Sequence, residues 1–289
     1  MIVDRPLINP SAAALAELGG VMTGRRRPYH MPGYEGPLSI KSMVRGCGRW
    51  RTGDGVFLVE PGQLLILNEG QRYSFTIDAE AEIETFCPFF APRLVREAIR
   101  ARGPLIRLLD APDDIDAAPP TFVERLRPES PRIGRGLAAL RAALDGDEAG
   151  DRLLDLLDAV LAESLAERAE IAALPAVRKA TRDELYRRVH RARDFIHASL
   201  DAPLSLAQLA RVAAMSTYHF HRAFRAIVGE TPGRYVTERR LLAARRLLAT
   251  TGRSVTDVCL DVGFSSLGTF SSAYRRRFGV APSRDNSQA

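Results

Sequence analysis

The chain is poor in the residues that announce metal or disulfide chemistry. Of 289 residues only three are cysteine, five are histidine and one is tryptophan. Cys47, Cys87 and Cys259 are too few and too scattered for a disulfide framework or a zinc cluster, and fit the reduced thiols of the cytosol. Before His190 the only histidine is His30, which leaves too few imidazoles for a metal held by several histidines and a carboxylate. No metal, cofactor or catalytic residue is expected, and the reading is of a protein that is not an enzyme. No run of about 18 uncharged apolar residues exists, so no membrane span is expected. Met1 to Leu18 carries Asp4, Arg5 and Glu17 and lacks a basic stretch followed by an apolar one. It does not read as a signal peptide, and a cytoplasmic location is expected.

What is present is an uneven charge. The net charge is +6, but from Thr181 onward there are 18 arginines, no lysine and 9 acidic residues, a net of +9. Everything before Thr181 therefore carries −3. A basic half beside a mildly acidic one points to a polyanionic partner for the C-terminal part alone. Charge by itself leaves nucleic acid, an anionic membrane surface and a merely solvated arginine face all open.

The first half reads as strands. Short runs at Leu38–Val44, Val56–Val59, Leu64–Leu67, Tyr73–Ile77 and Ile83–Cys87 alternate with turn signals such as Gly53-Asp54-Gly55 and Glu60-Pro61-Gly62. That spacing predicts an antiparallel barrel or jelly roll. From Pro92 the texture becomes helical, with a short helix at 93–102, a Pro- and Asp-rich loop at 111–132, and helices at about 133–144 and 148–172. The last has a broad apolar face that includes Leu153, Leu157, Val160 and Leu161. A homodimer contact is expected there, with packing against the β domain as the alternative. Leu174-Pro175 ends the helix, and a short linker follows near 174–180.

The second half contains a repeat. Phe220, Ala223, Phe224, Arg225, Gly229 and Pro232 match Phe270, Ala273, Tyr274, Arg275, Gly279 and Pro282 at an offset of 50. Upstream the offset is 49, with Leu206, Leu209 and Ala210 falling on Val255, Val258 and Cys259, and Ser216 on Ser265. Each copy spells a short helix, a turn and a second helix. In the first copy Phe220, Ala223, Phe224 and Ile227 face inward, while Tyr218, His221, Arg222 and Arg225 form an outer stripe at i, i+3, i+4 and i+7. Ser216 is placed to cap this helix. In the second copy the outer face is Leu267, Gly268, Ser271, Ser272 and Arg275, Ser265 or Ser266 can cap, and Arg275-Arg276-Arg277 suits phosphate contact at the helix end. A helix-turn-helix whose second helix presents hydrogen-bonding and basic groups suits major-groove reading. The intervening Gly233–Ala249 is helical in pattern and spans about 25 Å at ~1.5 Å per residue, which suits two heads about one DNA turn, roughly 34 Å, apart.

With these residues in view, Leu204–Arg284 resembles the AraC/XylS regulators. The specific words are Ser205-Leu206-Ala207-Gln208-Leu209-Ala210, Phe220-His221-Arg222-Ala223-Phe224-Arg225, Gly229-Glu230-Thr231-Pro232, the Arg240–Leu248 segment, and Asp261-Val262-Gly263-Phe264-Ser265-Ser266. Pro61–Asn68 is similar to part of the family's cupin-like sensing domain. The resemblance implies double-stranded promoter DNA as partner, contact with RNA polymerase, and base contacts from positions matching Tyr218, His221 and Arg222 on the first reading helix. On the second it implies contacts from Leu267, Gly268, Ser271 and Ser272. Members often carry Gln and Arg on that helix, where this chain has Leu267 and Ser272, which shifts the expected specificity to the first.

The expected fold is multidomain α+β: a cupin-like antiparallel barrel (1–91), a helical connector and dimerisation region (92–178), and an all-α double helix-turn-helix domain (179–289). A small-molecule effector has Trp50, Lys41, Arg49, Arg72 and Tyr73 available for stacking and anion contacts; the alternative is that Trp50 merely packs in the wall. Two other functions stand beside a ligand-responsive regulator: a regulator whose barrel only dimerises, and a metal-dependent cupin enzyme, against which the histidine count speaks. Cys47 lies near Lys41, Arg45 and Arg49 in sequence, a setting for a redox-active thiol, with an ordinary barrel cysteine as the alternative.

Overall fold

The computed structural model describes residues 6–26, 28–53, 55–77, 83–101, 121–174 and 179–286. The expected turn residue Asp54, the first ten residues of the expected 111–132 loop and most of the 174–180 linker lie outside them. The chain divides into two compact units, Met1–Lys179 and Ala180–Ala289.

The first unit holds two antiparallel sheets. Its strands are β1 (Gly19–Arg26), β2 (Tyr29–Glu35), β3 (Ser39–Arg45), β4 (Gly48–Thr52), β5 (Gly55–Val59), β6 (Gln63–Leu67), β7 (Arg72–Ile77), β8 (Ile83–Phe90) and β9 (Leu126–Pro128). One sheet has the order β1-β8-β3-β6-β9 and the other β2-β7-β4-β5. The expected barrel is thus realised as two facing sheets, not one closed ladder.

The five-stranded sheet is buried on both faces, which explains its unbroken apolar runs. Alternation along β6 sends Leu64 and Ile66 to one face and Leu65 and Leu67 to the other. The inner set joins Trp50, Phe57, Tyr73 and Phe75 of the second sheet in the sandwich core. The outer set, with Ile40, Phe86 and Phe90, packs under the helices α2 (Pro92–Ala101), α3 (Pro131–Ala143) and α4 (Ala149–Ala172). A further helix, α1 (Ala12–Leu18), precedes β1 and is capped by the Ser11 hydroxyl.

The expected place of the dimer contact is corrected here. Leu153, Leu157, Val160 and Leu161 are at most 5% exposed and belong to the protein's own core. The width of the α4 stripe reflects three neighbours, α2, α3 and the sheet, so these four residues offer no face to a second copy. Helix α4 is also tied down by charge. Glu167, 4% exposed, accepts from Arg125 Nε and Arg127 Nη2, both at 2.8 Å, and from the Val123 amide at 3.3 Å. These partners flank or lie on β9, which pairs with β6 inside what reads as a loop in the sequence.

The second unit is all-α: α5 (Lys179–Ala198), α6 (Leu206–Val212), α7 (Thr217–Val228), α8 (Pro232–Thr251), α9 (Val255–Asp261), α10 (Leu267–Phe278) and α11 (Pro282–Asn286). It has two cores. Phe220, Phe224, Leu209 and Ile196 close one with Tyr235 and Val236 from the start of α8. Phe270, Tyr274, Val258 and Cys259 close the other with Leu241, Ala244 and Leu248 from its remainder. One helix of 20 residues therefore serves both halves of the repeat.

Candidate nucleic-acid interface and effector cavity

Each helix-turn-helix starts on a side-chain cap. The hydroxyls of Ser205, Ser216, Ser254 and Ser266 accept from Gln208, His219, Asp257 and Thr269 amides at 3.1–3.4 Å. Such a cap typically contributes about 1 kcal/mol. Ser266, not Ser265, caps the second reading helix, so the offset between copies changes from 49 to 50 within the turn. Both reading helices end on a left-handed glycine, Gly229 (φ 85°) and Gly279 (φ 80°), whose amides donate to Arg225 and Arg275 carbonyls.

On α7, Tyr218, Arg222 and Arg225 are exposed and His221 is half-buried. Tyr218 is 64% exposed, and its hydroxyl accepts from Arg222 Nη1 at 3.3 Å. His219, also exposed, stands beside Tyr218 with ring centroids 5.8 Å apart. The helical stripe passes over it because it sits one residue from Tyr218. On α10, Leu267, Gly268, Ser272, Arg275 and Arg276 are exposed and Ser271 is half-buried. The arginine triplet divides: Arg277 Nε binds Glu238 of α8 at 2.7 Å, which ties α10 to the shared helix.

A second tie was not legible in the sequence. Arg240 on α8 donates to the carbonyls of Leu200 at 3.0 Å and Ala202 at 2.7 Å, in the segment before α6. Its guanidinium also lies 6.0 Å from the Phe264 ring centre. One side chain so joins the first copy's approach segment to the second copy's turn. His197 on α5 meets the Tyr235 hydroxyl at 2.7 Å. Burial, helped by Arg193, Arg239 and Arg246, pulls its pKa down to about 3, so the ring is neutral at pH 7.

In the first unit a cavity of about 180 Å³, partly open to solvent, lies between the sheets and the segment that precedes β1. Of the expected effector residues, Lys41, Trp50 and Tyr73 line it. Arg49 and Arg72 do not: both are exposed, because strand alternation turns them to the outer face of their sheet. Trp50 is 2% exposed and stacks on Phe75 at 4.2 Å. Lys41, 1% exposed, donates to the Tyr73 hydroxyl at 2.9 Å, with its ammonium 3.6 Å from the Phe89 ring centre. Burial pulls the Lys41 pKa down to about 7, partly offset by Cys87. The thiol beside Lys41 is therefore Cys87, itself pushed upward by burial, and not Cys47.

Tyr34 also lines the cavity and was missed. A bulge between Met31 and Tyr34 lets both face Phe75 and Tyr73 across the ladder, although they are three positions apart. Strict alternation assigns them to opposite faces. Among the described residues no cluster of three or more His, Cys, Asp or Glu is arranged to hold a metal, and no helix is long and apolar enough to cross a membrane.

Two capped helix-turn-helix units on one shared helix, in a chain that also carries a cavity-bearing β domain, define a DNA-binding regulator with a ligand-binding module. Comparison with known proteins gives the family. Residues 24–165 match the model of the AraC-like ligand binding domain, and residues 209–287 match that of the helix-turn-helix domain. Over 90 residues the chain is 37% identical to the regulatory protein SoxS of Salmonella typhimurium, covering 31% of this chain and 84% of that one. It is 37% identical over 93 residues to the transcriptional regulator ArgR of Pseudomonas aeruginosa, 32% of this chain and 28% of ArgR. A solved AraC-type DNA-binding regulator from Chromobacterium violaceum is 34% identical, over 35% of this chain and 90% of that one, with a TM-score of 0.33. The chain belongs to the AraC/XylS family and is a sequence-specific DNA-binding transcription regulator.

Proposed function

We propose that this regulator reads promoter DNA unequally with its two heads and is controlled by a small molecule held in the β-sandwich. The first head supplies base recognition through Tyr218, His221 and Arg222, with Arg225 toward the backbone. The second presents Leu267, Gly268, Ser271 and Ser272, a small and largely uncharged surface suited to close approach and to a thymine methyl. Arg275 and Arg276 follow it as phosphate contacts. The observation that carries this reading is the pair of exposed stripes on two equivalently capped helices, on the half of the chain that holds the positive charge. The domain limits at 91 and 178, a cytoplasmic location, the absence of catalysis, homodimer formation and contact with RNA polymerase belong to the same proposal. They are supported by family membership; Leu153, Leu157, Val160 and Leu161 are not offered as the dimer contact.

The test is retardation of promoter duplex by the full chain at several salt concentrations. Binding should weaken steeply with salt through counterion release and prefer one sequence. A folded chain with no duplex affinity at low salt would overturn it.

A further inference from the structure

We propose that the cavity of the first unit seats a small apolar monocarboxylate, its carboxylate held by the Lys41 ammonium and the Tyr73 hydroxyl. This rests on the reading of that unit as an effector sensor and adds the chemical class of the effector.

The chain carries only two lysines, Lys41 and Lys179, against 39 arginines. One of the two stands inside a β-sandwich. Alternation along β3 sends Ile40 to the helix-covered face and Lys41 to the interior. A buried ammonium is costly unless paired. Yet no lining residue is acidic, and among the described residues no carboxylate lies within ion-pair distance of Lys41. It has the Tyr73 oxygen and the ring faces of Tyr73 and Phe89, at 4.2 and 3.6 Å. Those contacts hold the amine in place and leave its charge without a counter-ion.

Most other polar groups deep in the wall are used by the protein itself, while Asn9 and Tyr29 stand at its exposed rim. The Tyr34 hydroxyl donates to the Ala12 carbonyl at 3.3 Å, the Thr23 hydroxyl to the Thr85 carbonyl at 3.0 Å, and Asn9 Oδ1 accepts from the Thr23 amide at 2.9 Å. A guest therefore meets one buried polar seat, at Lys41 and Tyr73, and an apolar interior that includes Leu15, Met22, Met31, Trp50, Phe75 and Phe89. This disfavours a sugar, most of whose hydroxyls would go unpaired in the interior, and a cationic amine, which Lys41 repels. A phosphate ester brings up to two charges to a site with one cation. An apolar cavity of roughly 150 Å³ admits benzene, so about 180 Å³ fits one ring or a short alkyl chain.

Proton linkage gives the proposal a signature. The titratable groups facing Lys41 are Tyr34 from β2, Tyr73 from β7 and Cys87 from β8, and burial raises all three so that each is neutral at pH 7. Lys41 alone changes charge near neutrality. A carboxylate binds the protonated amine, so affinity should be flat in mild acid and fall about tenfold per pH unit well above pH 7.

Trp50 is the single tryptophan and lines the cavity, so its emission reports occupancy directly. The full chain is titrated with phenylacetate and hexanoate, and with phenylacetamide and hexanamide as uncharged isosteres, between pH 6 and 9. The acids should saturate the signal and bind on the order of 30-fold more tightly than the amides below pH 7. Lys41→Met, checked for folding by its melting curve and for retained DNA binding, should lose that preference and the pH dependence together. Equal binding of acids and amides, or unchanged acid binding by Lys41→Met, overturns the carboxylate class and leaves an effector cavity standing. No response in emission or melting temperature to any of the four compounds overturns both the class and the sensing role of this cavity.

Discussion

Ala214 and Gly263 occupy the same turn in the two helix-turn-helix units, 49 residues apart, and both lie in the left-handed region, at φ 50° and 83°. Around them the backbone bonds correspond: Met215 donates to the Ala210 carbonyl at 2.9 Å, and Phe264 to the Cys259 carbonyl at 3.0 Å. The turn demands a positive φ in both copies, yet only the second uses glycine. The difference lies in the surroundings. Ala214 is exposed, whereas a Cβ on Gly263 would run into the Leu200 carbonyl and, at 2.7 Å, the Arg240 guanidinium.

Opposite effects are therefore expected from exchanging the two residues. Ala214→Gly relieves a left-handed alanine and should be neutral to stabilising by up to about 1 kcal/mol. Gly263→Ala adds strain and displaces the Arg240 tie, and should cost more than about 2 kcal/mol. Thermal melts of both variants check this, and equal, small shifts would refute it.

Arg222 and Arg276 should separate specificity from affinity. Arg222→Ala should lose about 1–3 kcal/mol on the cognate site, much less on scrambled DNA, and relax one base step. Arg276→Ala should weaken both duplexes alike and reduce the salt slope by about one. Binding curves on the two duplexes at two salt concentrations decide it; equal losses for Arg222→Ala make that residue a phosphate contact.

Leu157 is fully buried beneath the sheet. Leu157→Ala should destabilise the first unit by about 2–5 kcal/mol through the cavity it leaves, and Leu157→Asp should unfold it. Sedimentation and urea unfolding of the alanine variant check this. A folded, fully stable protein with altered oligomeric mass would return this face to a dimer contact.

Acid should loosen the first unit through Glu167. Burial alone would raise its pKa, but Arg127 and Arg125 outweigh that and lower it. A carboxylate with a depressed folded pKa contributes stability that is present above its unfolded pKa, about 4.3, and is lost as pH falls through the folded value. Glu167→Gln leaves Arg127 buried without its anion and should cost about 3 kcal/mol at pH 7. The variant's deficit should shrink as pH falls toward 3. Urea unfolding of both proteins from pH 7 to 3 measures it, and a deficit independent of pH would contradict the assignment.

The sequence by itself determined what local chemistry controls. The helix-turn-helix repeat, the Ser216 cap and the outward stripe from Tyr218 to Arg225 follow from spacing over a dozen residues. Helix geometry converts such spacing directly into faces. The runs at β3, β5, β6, β7 and β8 were legible for the same reason. Tertiary structure alone decided what depends on distant partners. Strand β1, with three glycines, exists by pairing with β8 some 60 to 70 residues away. Strand β2 carries Pro32 and Gly33 and a bulge, and β9 is three residues long and pairs with β6 across some 60 positions. The α4 face and the sides taken by Lys41 and Arg49 belong to this second kind. A leucine stripe records that something covers it, and a strand records two faces, but neither names the partner. That choice is made when the sheets and helices close on one another.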